Sequence, residues 1–199
     1  MEDNIERFWH RVYFKLELGY IEACIERAYR DLCRTLRVQG YDEGVWKQYQ
    51  IELTDILKLN ILEMLAEKMT SQEEFDVWHH RTMLRLISND NIENLVAKST
   101  LLTIGQGQKW INMALKCIYA VGERYIPNAW ANYTYFHVPI DSIIQERFAK
   151  HGIKKLEMPW SRLDEVARYE IYQRECRSTF PKEILIEIEM ELFNQSSRD

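Results

Sequence analysis

The sequence predicts an all-α protein, a compact bundle of roughly eight to ten helices. Glycine (7) and proline (4) are scarce among the 199 residues, so few strong breakers interrupt helical segments. Hydrophobic residues make up 46% of the chain and aromatic residues 12%, which is enough for a core and argues against disorder. Most of these apolar residues recur at helical spacing, which indicates amphipathic helices.

The predicted helices have recognisable starts. Ser71, Asp141 and Ser161 are the predicted N-caps, and Pro181 is the predicted first residue of the last helix. In chain order, helices are expected over residues 4–18, 20–38, 42–69, 72–88, 91–102, 107–121, 142–151, 162–177 and from 181 onward. A turn is expected at Thr103–Gln106, and a long aromatic loop over residues 122–138.

Two segments also fit strands. Apolar residues alternate from Val12 to Leu18, and again from Ile186 to Leu192, where they alternate with glutamates. A helix is favoured for the second segment, because its apolar residues also share one helical face. A short two-stranded pairing of residues 12–18 with residues 184–192 is the alternative.

Charge is unevenly distributed along the chain. The net charge of −5 taken alone argues against a nucleic-acid binder. Residues 98–162, however, hold nine Lys or Arg against four acidic residues, a net of +5, so the rest of the chain carries −10.

We expect a single helical domain over residues 1–199. Two lobes, an acidic one over 1–90 and a second over 91–199, are the alternative.

Several classes of protein are disfavoured. The four cysteines show no CxxC spacing, which argues against a cysteine-ligated zinc site, an iron–sulfur cluster or a disulfide framework. His79, His80 and His137 have no neighbours at metal-ligand spacing, so neither a metal nor a cofactor is expected. No apolar run approaches about 18 residues and the N-terminus is acidic, so we expect a cytoplasmic protein without a membrane partner.

The residues that suggest chemistry lie between positions 101 and 141. Gly105 and Gly107 stand at a predicted helix start, where backbone amides can bind phosphate. Lys109 follows, and Asp141 begins the next helix after the aromatic loop. A buried lysine beside a carboxylate can serve as an amine nucleophile. His137, shortly before the aspartate, is a candidate to orient it.

This stretch resembles the helix-hairpin-helix superfamily of base-excision DNA glycosylases. Residues 103–109 (Thr-Ile-Gly-Gln-Gly-Gln-Lys) match the Gly-x-Gly-x-Lys spacing of the family's hairpin, and residues 138–141 (Val-Pro-Ile-Asp) look like its aspartate-bearing segment. The resemblance covers residues 98–150. Ile104 replaces the hairpin proline, and the 32 residues from lysine to aspartate are long, as in the archaeal 8-oxoguanine glycosylase branch.

The resemblance implies a DNA-repair enzyme, a DNA glycosylase with AP-lyase activity that removes a damaged, oxidised base from double-stranded DNA. It implies that Lys109 is the nucleophile, that Asp141 is the essential carboxylate and that the enzyme is nucleoid-associated. The residues expected to contact the DNA backbone are Gly105, Gly107, Lys150, Lys154 and Lys155. The side chains expected to wall a base pocket are Trp110, Trp130, Tyr133, Phe136 and Trp160.

Each assignment has a plainer alternative. Lys109 can be an exposed lysine and Asp141 only a helix cap, while the two glycines can form an ordinary helix–helix turn. The aromatic side chains can be core or loop packing, and the basic loop can be a solvated surface. The alternative function is accordingly a non-catalytic helical module that binds nucleic acid or a protein partner through the hairpin.

Overall fold

The computed structural model describes residues 2–14, 19–36, 43–88 and 102–195. Within these ranges the chain forms α-helices and two 3-10 turns and no strand, which confirms the predicted all-α bundle. The helices are α1 (Glu2–Tyr13), α2 (Tyr20–Cys33), α3 (Glu43–Ala66), α4 (Gln72–Ile87), α5 (Ile104–Val121), α6 (Ser142–Ala149), α7 (Val166–Thr179) and α8 (Leu185–Gln195). The 3-10 turns lie at Tyr133–Tyr135 and Trp160–Arg162.

Helix α5 is the centre of the bundle. Fourteen of its eighteen residues are buried, as expected for a helix that is covered on all sides. It packs mainly on α2, where Trp110 is fully buried and its indole N–H donates to the Ile25 carbonyl at 3.1 Å. Because α2 and α5 share one core, side chains on α5 are held rigidly. The two-lobe division stays a prediction.

The start of α5 differs from the prediction. The turn expected at Thr103–Gln106 is wrong, because the helix already begins at Ile104. Thr103 and Gln106 form a reciprocal capping box: the Gln106 amide donates to Thr103 Oγ1, and the Thr103 amide donates to Gln106 Oε1, both at 3.1 Å. The first turn of α5 is therefore satisfied by its own side chains. Residues 91–101, where a preceding helix was expected, lie outside the described residues.

Two other predicted starts are wrong, and two are confirmed. Ser161 lies in the 3-10 turn that precedes α7, because its carbonyl accepts from Thr103 Oγ1 at 3.0 Å and ties the segment to α5. Pro181 lies in a turn, and α8 begins four residues later. Ser71 and Asp141 are N-caps, each accepting from the backbone amide three residues on.

The strand alternative is wrong for the residues that the structure describes. Residues 12–13 belong to α1, and residues 185–192 belong to α8. Residues 15–18 of the proposed pairing lie outside the described ranges. In α8 the residues Leu185, Ile186, Glu189 and Leu192 are buried, and their spacing of i, i+1, i+4, i+7 places them on one helical face.

Candidate active site

The structure brings Lys109 and Asp141 together. Lys109 lies in the second turn of α5 and is only 5% exposed, and its Nζ is 2.6 Å from Asp141 Oδ2. The other carboxylate oxygen, Oδ1, accepts from the Ile144 amide at 2.8 Å and caps α6. Asp141 therefore serves two purposes, and its side chain keeps 24% of its surface in solvent.

The pair opens into one cleft of about 700 Å³, which we call the lysine cleft. It lies between the end of α1, α2, α5, the start of α6 and α8. A cleft of this volume is within the range of about 300–1,000 Å³ that holds small ligands. Its aromatic walls are Tyr13, Phe14, Trp160 and Phe193.

A second lysine–carboxylate pair lies in the same cleft. Lys116 follows Lys109 by seven residues and so projects from the same face of α5. Its Nζ is 2.5 Å from Glu189 Oε2 on α8, where Glu189 is almost fully buried. Burial raises the pKa of the Glu189 carboxyl, and the positive charges of Lys116 and Lys109 oppose that rise. The cleft is therefore lined by two lysines and two carboxylates that are largely shielded from solvent.

Of the five aromatic side chains expected around a base pocket, Trp160 lines the lysine cleft. Trp110 and Phe136 are buried in the core, with exposures of 0% and 1%. Trp130 and Tyr133 pack beside the C-terminal half of α5, away from the ion pair. Tyr13, Phe14 and Phe193 line the cleft but carried no sequence signal, because they come from helices far from residues 101–141.

The two glycines are packing residues in the structure. The Gly105 amide donates to the Leu163 carbonyl at 2.8 Å, and a Cβ on Gly105 would lie 1.7 Å from the Trp160 carbonyl oxygen. Only glycine allows this approach, which brings Trp160 to the cleft. Gly107 is also buried, and its amide donates to the Thr103 carbonyl at 2.9 Å. Both amides are therefore already engaged within the protein.

The basic loop follows α6. Lys150, Lys154 and Lys155 are all exposed. Lys154 approaches Glu157 at 3.6 Å, and Lys155 forms an ion pair with Glu146. Exposed pairs of this kind are weak and are readily exchanged for other anions.

Two buried glutamines were missed by sequence reasoning. Gln108 precedes the lysine of the ion pair, and Ile140 precedes its aspartate. The Gln108 side chain donates to the Ile140 carbonyl at 2.9 Å and accepts from the Ile140 amide at 3.1 Å. Gln173 on α7 holds Val138 in the same way, at 2.9 and 3.1 Å. These two glutamine clamps satisfy the buried backbone of the segment that leads into Asp141.

His137 was considered as an orienting partner for the site aspartate, but its partners are different. Its Nε2 donates to Asp76 Oδ1 at 2.7 Å, and its Nδ1 accepts from the Tyr169 hydroxyl at 2.7 Å. His79 Nε2 donates to Asn112 Oδ1 at 2.8 Å and lies 3.2 Å from the same hydroxyl. Asn112 also donates to one of the glutamine clamps. The network therefore supports the segment behind the site, and His79 is part of the core.

The buried histidines make the stability of the fold depend on pH. Burial lowers the pKa of His79 well below its ordinary 6.5 and also lowers the pKa of His137. Below about pH 6.5 the unfolded chain binds protons that the folded chain does not, so stability is present above that pH and is lost as the pH falls. We expect the free energy of unfolding to fall as the pH drops from 6.5 toward the lowered folded-state pKa of each histidine, by at most about 1.4 kcal/mol per pH unit for each.

Urea unfolding at pH 7, 6 and 5 measures this slope. His79→Gln keeps a hydrogen-bond donor at the position of Nε2 but has no group that titrates there. The free energy of unfolding of the variant is therefore expected to depend less steeply on pH, by the contribution of about one proton. Titrating groups that do not interact with His79 cancel in the difference between the two proteins. An unchanged slope in the variant would contradict a neutral buried His79.

Two further observations concern the described part of the chain. No group of three His, Cys, Asp or Glu side chains there is arranged to hold a metal ion. No helix there has both the length and the apolar character needed to cross a membrane. Comparison with family models, with curated proteins and with solved structures finds no match to this chain.

Proposed function

We propose that the protein is a DNA glycosylase with AP-lyase activity on a damaged, oxidised base, in which Lys109 is the nucleophile and Asp141 the essential carboxylate. The observation that supports this most is the 2.6 Å ion pair between the two side chains at the wall of a ligand-sized cleft. A buried lysine can act as a Schiff-base nucleophile once it has lost its proton, and Asp141 is placed to accept that proton.

The reaction follows from the ion pair. Lys109 Nζ passes a proton to Asp141 and attacks C1′ of the damaged nucleotide. The Nζ–C1′ bond forms as the glycosidic bond breaks, and the base leaves with the bonding electron pair and gains a proton. The C1′–O4′ bond then breaks as an Nζ proton moves to O4′, which leaves a Schiff base. Asp141, which has passed its proton to the departing base, takes a proton from C2′, so that β-elimination breaks the bond from C3′ to its phosphate oxygen. Water then hydrolyses the Schiff base and releases the lysine. A carboxylate beside C1′ offsets the positive charge that develops on the sugar.

The cleft can accept a nucleotide that has left the duplex. A flipped base needs an aromatic surface on which to stack, and Trp160 offers one near the ion pair. The exposed lysines at 150, 154 and 155 are the proposed contacts to DNA phosphates. The engaged amides of Gly105 and Gly107 give no support to a phosphate cradle at the start of α5, so in this proposal the loop lysines take that role.

The proposal is tested by incubating the full chain with duplexes that each carry one oxidised base, in the presence of borohydride. We expect a covalent protein–DNA adduct on at least one lesion, and strand cleavage when borohydride is omitted. No adduct and no base release across the panel would exclude the enzyme. Salt-sensitive DNA binding without base release would instead favour the non-catalytic module.

The glutamine clamps allow a matched pair of variants. Gln108→Ala leaves the amide and the carbonyl of Ile140 without these partners, and Gln173→Ala leaves the Val138 amide without its partner, so each is expected to lower the free energy of unfolding by about 2–4 kcal/mol. Of the two glutamines, only Gln108 is both the chain neighbour of Lys109 and the hydrogen-bond partner of Ile140, the residue before Asp141. Gln108→Ala is therefore expected to slow adduct formation about 10²-fold, and Gln173→Ala by less than about tenfold.

Urea unfolding and single-turnover trapping, done at a temperature where both variants are folded, check this prediction. Equal losses of rate in the two variants would show that Gln108 has no special part in positioning Lys109 and Asp141.

A further inference from the structure

Helix α1 exposes its apolar face. Ile5, Phe8, Trp9 and Val12 recur at i, i+3, i+4 and i+7, which places them on one stripe. They are 55%, 58%, 61% and 62% exposed, and Tyr13 at the end of the helix is 51% exposed. Amphipathic helices normally turn such a stripe toward the core, so this one is available for another surface.

The polar side of α1 holds the helix to the body of the protein. His10 packs on the rings of Tyr20 and Tyr125, with centroid distances of 5.6 and 4.8 Å. Glu6 forms an ion pair with Arg124 at 2.8 Å. The helix is therefore fixed with its apolar stripe outward, and rotating it to cover the stripe would break these contacts.

We propose that the α1 stripe is a homodimer interface, in which α1 of a second copy of this chain packs antiparallel across a two-fold axis. A stripe of this spacing is self-complementary, as a two-fold interface requires.

The exposed apolar area of the stripe is compatible with packing against a second copy of α1. Three aromatic side chains that each expose more than half of a surface of about 150–250 Å², with Ile5 and Val12 beside them, present on the order of 400–500 Å² of apolar surface. That is roughly half of the ~800 Å² that one partner buries in a standard interface. Apolar patches of this size on soluble proteins commonly mark interaction sites.

The charge of α1 favours a second copy over a lipid surface. Helices that lie on membranes carry an excess of Lys and Arg on their polar face. Here Glu2, Asp3 and Glu6 outnumber Arg7 and Arg11, which leaves α1 with a net charge of −1. The stripe also adjoins the lysine cleft, because Tyr13 lines it, so dimerisation would fix one wall of that cleft. The interface itself does not depend on the proposed reaction.

Sedimentation velocity on the full chain over a wide range of protein concentration tests the interface. We expect a species of twice the chain mass at high concentration, and a monomer at all concentrations for Phe8→Glu with Trp9→Glu. Val77 on α4 is 63% exposed and lies off the stripe, so Val77→Glu is the matched control and is expected to remain dimeric. A wild-type monomer throughout, or a dimer that tolerates the paired substitution, would overturn the proposal.

Circular dichroism of each variant confirms that the helices are retained. Flotation of the wild-type monomer with neutral or anionic vesicles, in place of self-association, would assign the stripe to a lipid surface.

Discussion

Lys109→Ala is expected to abolish covalent trapping on an oxidised-base duplex and to slow base release by at least about 10³-fold. The physical reason is that no other amine in the described part of the chain lies within hydrogen-bond distance of Asp141 at this cleft. Loss of the amine removes the atom that forms the Schiff base. Borohydride trapping followed by denaturing electrophoresis measures the adduct, and single-turnover kinetics measure base release.

Lys109→Arg is the companion variant that separates chemistry from folding. The guanidinium keeps a positive charge against Asp141 but stays protonated and does not form a Schiff base. Its thermal unfolding is expected to stay close to that of the wild type while trapping is lost. Lys47→Ala, a change at an exposed lysine on α3, serves as the control and should trap normally. Trapping that survives in Lys109→Arg would place the nucleophile elsewhere.

Asp141→Asn is expected to slow the reaction by about 10²–10⁴-fold, because an amide neither accepts the lysine proton nor offsets positive charge on the sugar. The same variant keeps an oxygen for the Ile144 amide, so α6 remains capped. Asp141→Ala removes both functions. The two variants should therefore be equally slow, while the alanine variant is about 1 kcal/mol less stable.

Trapping rates and urea unfolding of the two Asp141 variants, measured side by side, decide between the two roles of this residue. An asparagine variant with wild-type rate would reduce Asp141 to a helix cap. A much slower alanine variant would show that the activity depends on the cap and hence on the position of α6.

The meeting of Lys109 and Asp141 was expected only through the family resemblance. Nothing in the 32-residue spacing requires the contact, because it depends on how the intervening loop folds back on α5. The glutamine clamps that make this return possible had no signal at all. A glutamine that hydrogen-bonds an extended backbone segment leaves no periodic pattern in the sequence. Gln108 and Gln173 could therefore not be distinguished from other polar residues.

Local signals were predictive where one interaction dominates. Ser71 and Asp141 cap helices because one side-chain oxygen satisfies an amide that would otherwise lack a partner. The same type of signal, Thr103 followed three residues later by Gln106, was present at the start of α5 and was outweighed by the two glycines. Those glycines are helical, and at Gly105 the small residue is needed for contact with another segment and not for a turn.

Other errors arose from tertiary contacts. Ser161 has the chemistry of an N-cap, but its segment is tied to the first turn of α5 and α7 begins later. For α1, periodicity predicted the helix and its apolar stripe, yet a hydrophobic pattern does not say what covers it. The contacts of His10 and Glu6 with the body decided that the stripe faces outward.

The most direct test of the proposed chemistry is peptide mapping of the borohydride-trapped adduct by mass spectrometry, on the wild-type chain. The sugar remnant is expected on the peptide that contains Lys109, joined through a reduced secondary amine at Nζ. A remnant on Lys116, on the N-terminal amine or on a lysine of the basic loop would contradict the assignment of Lys109 as the nucleophile.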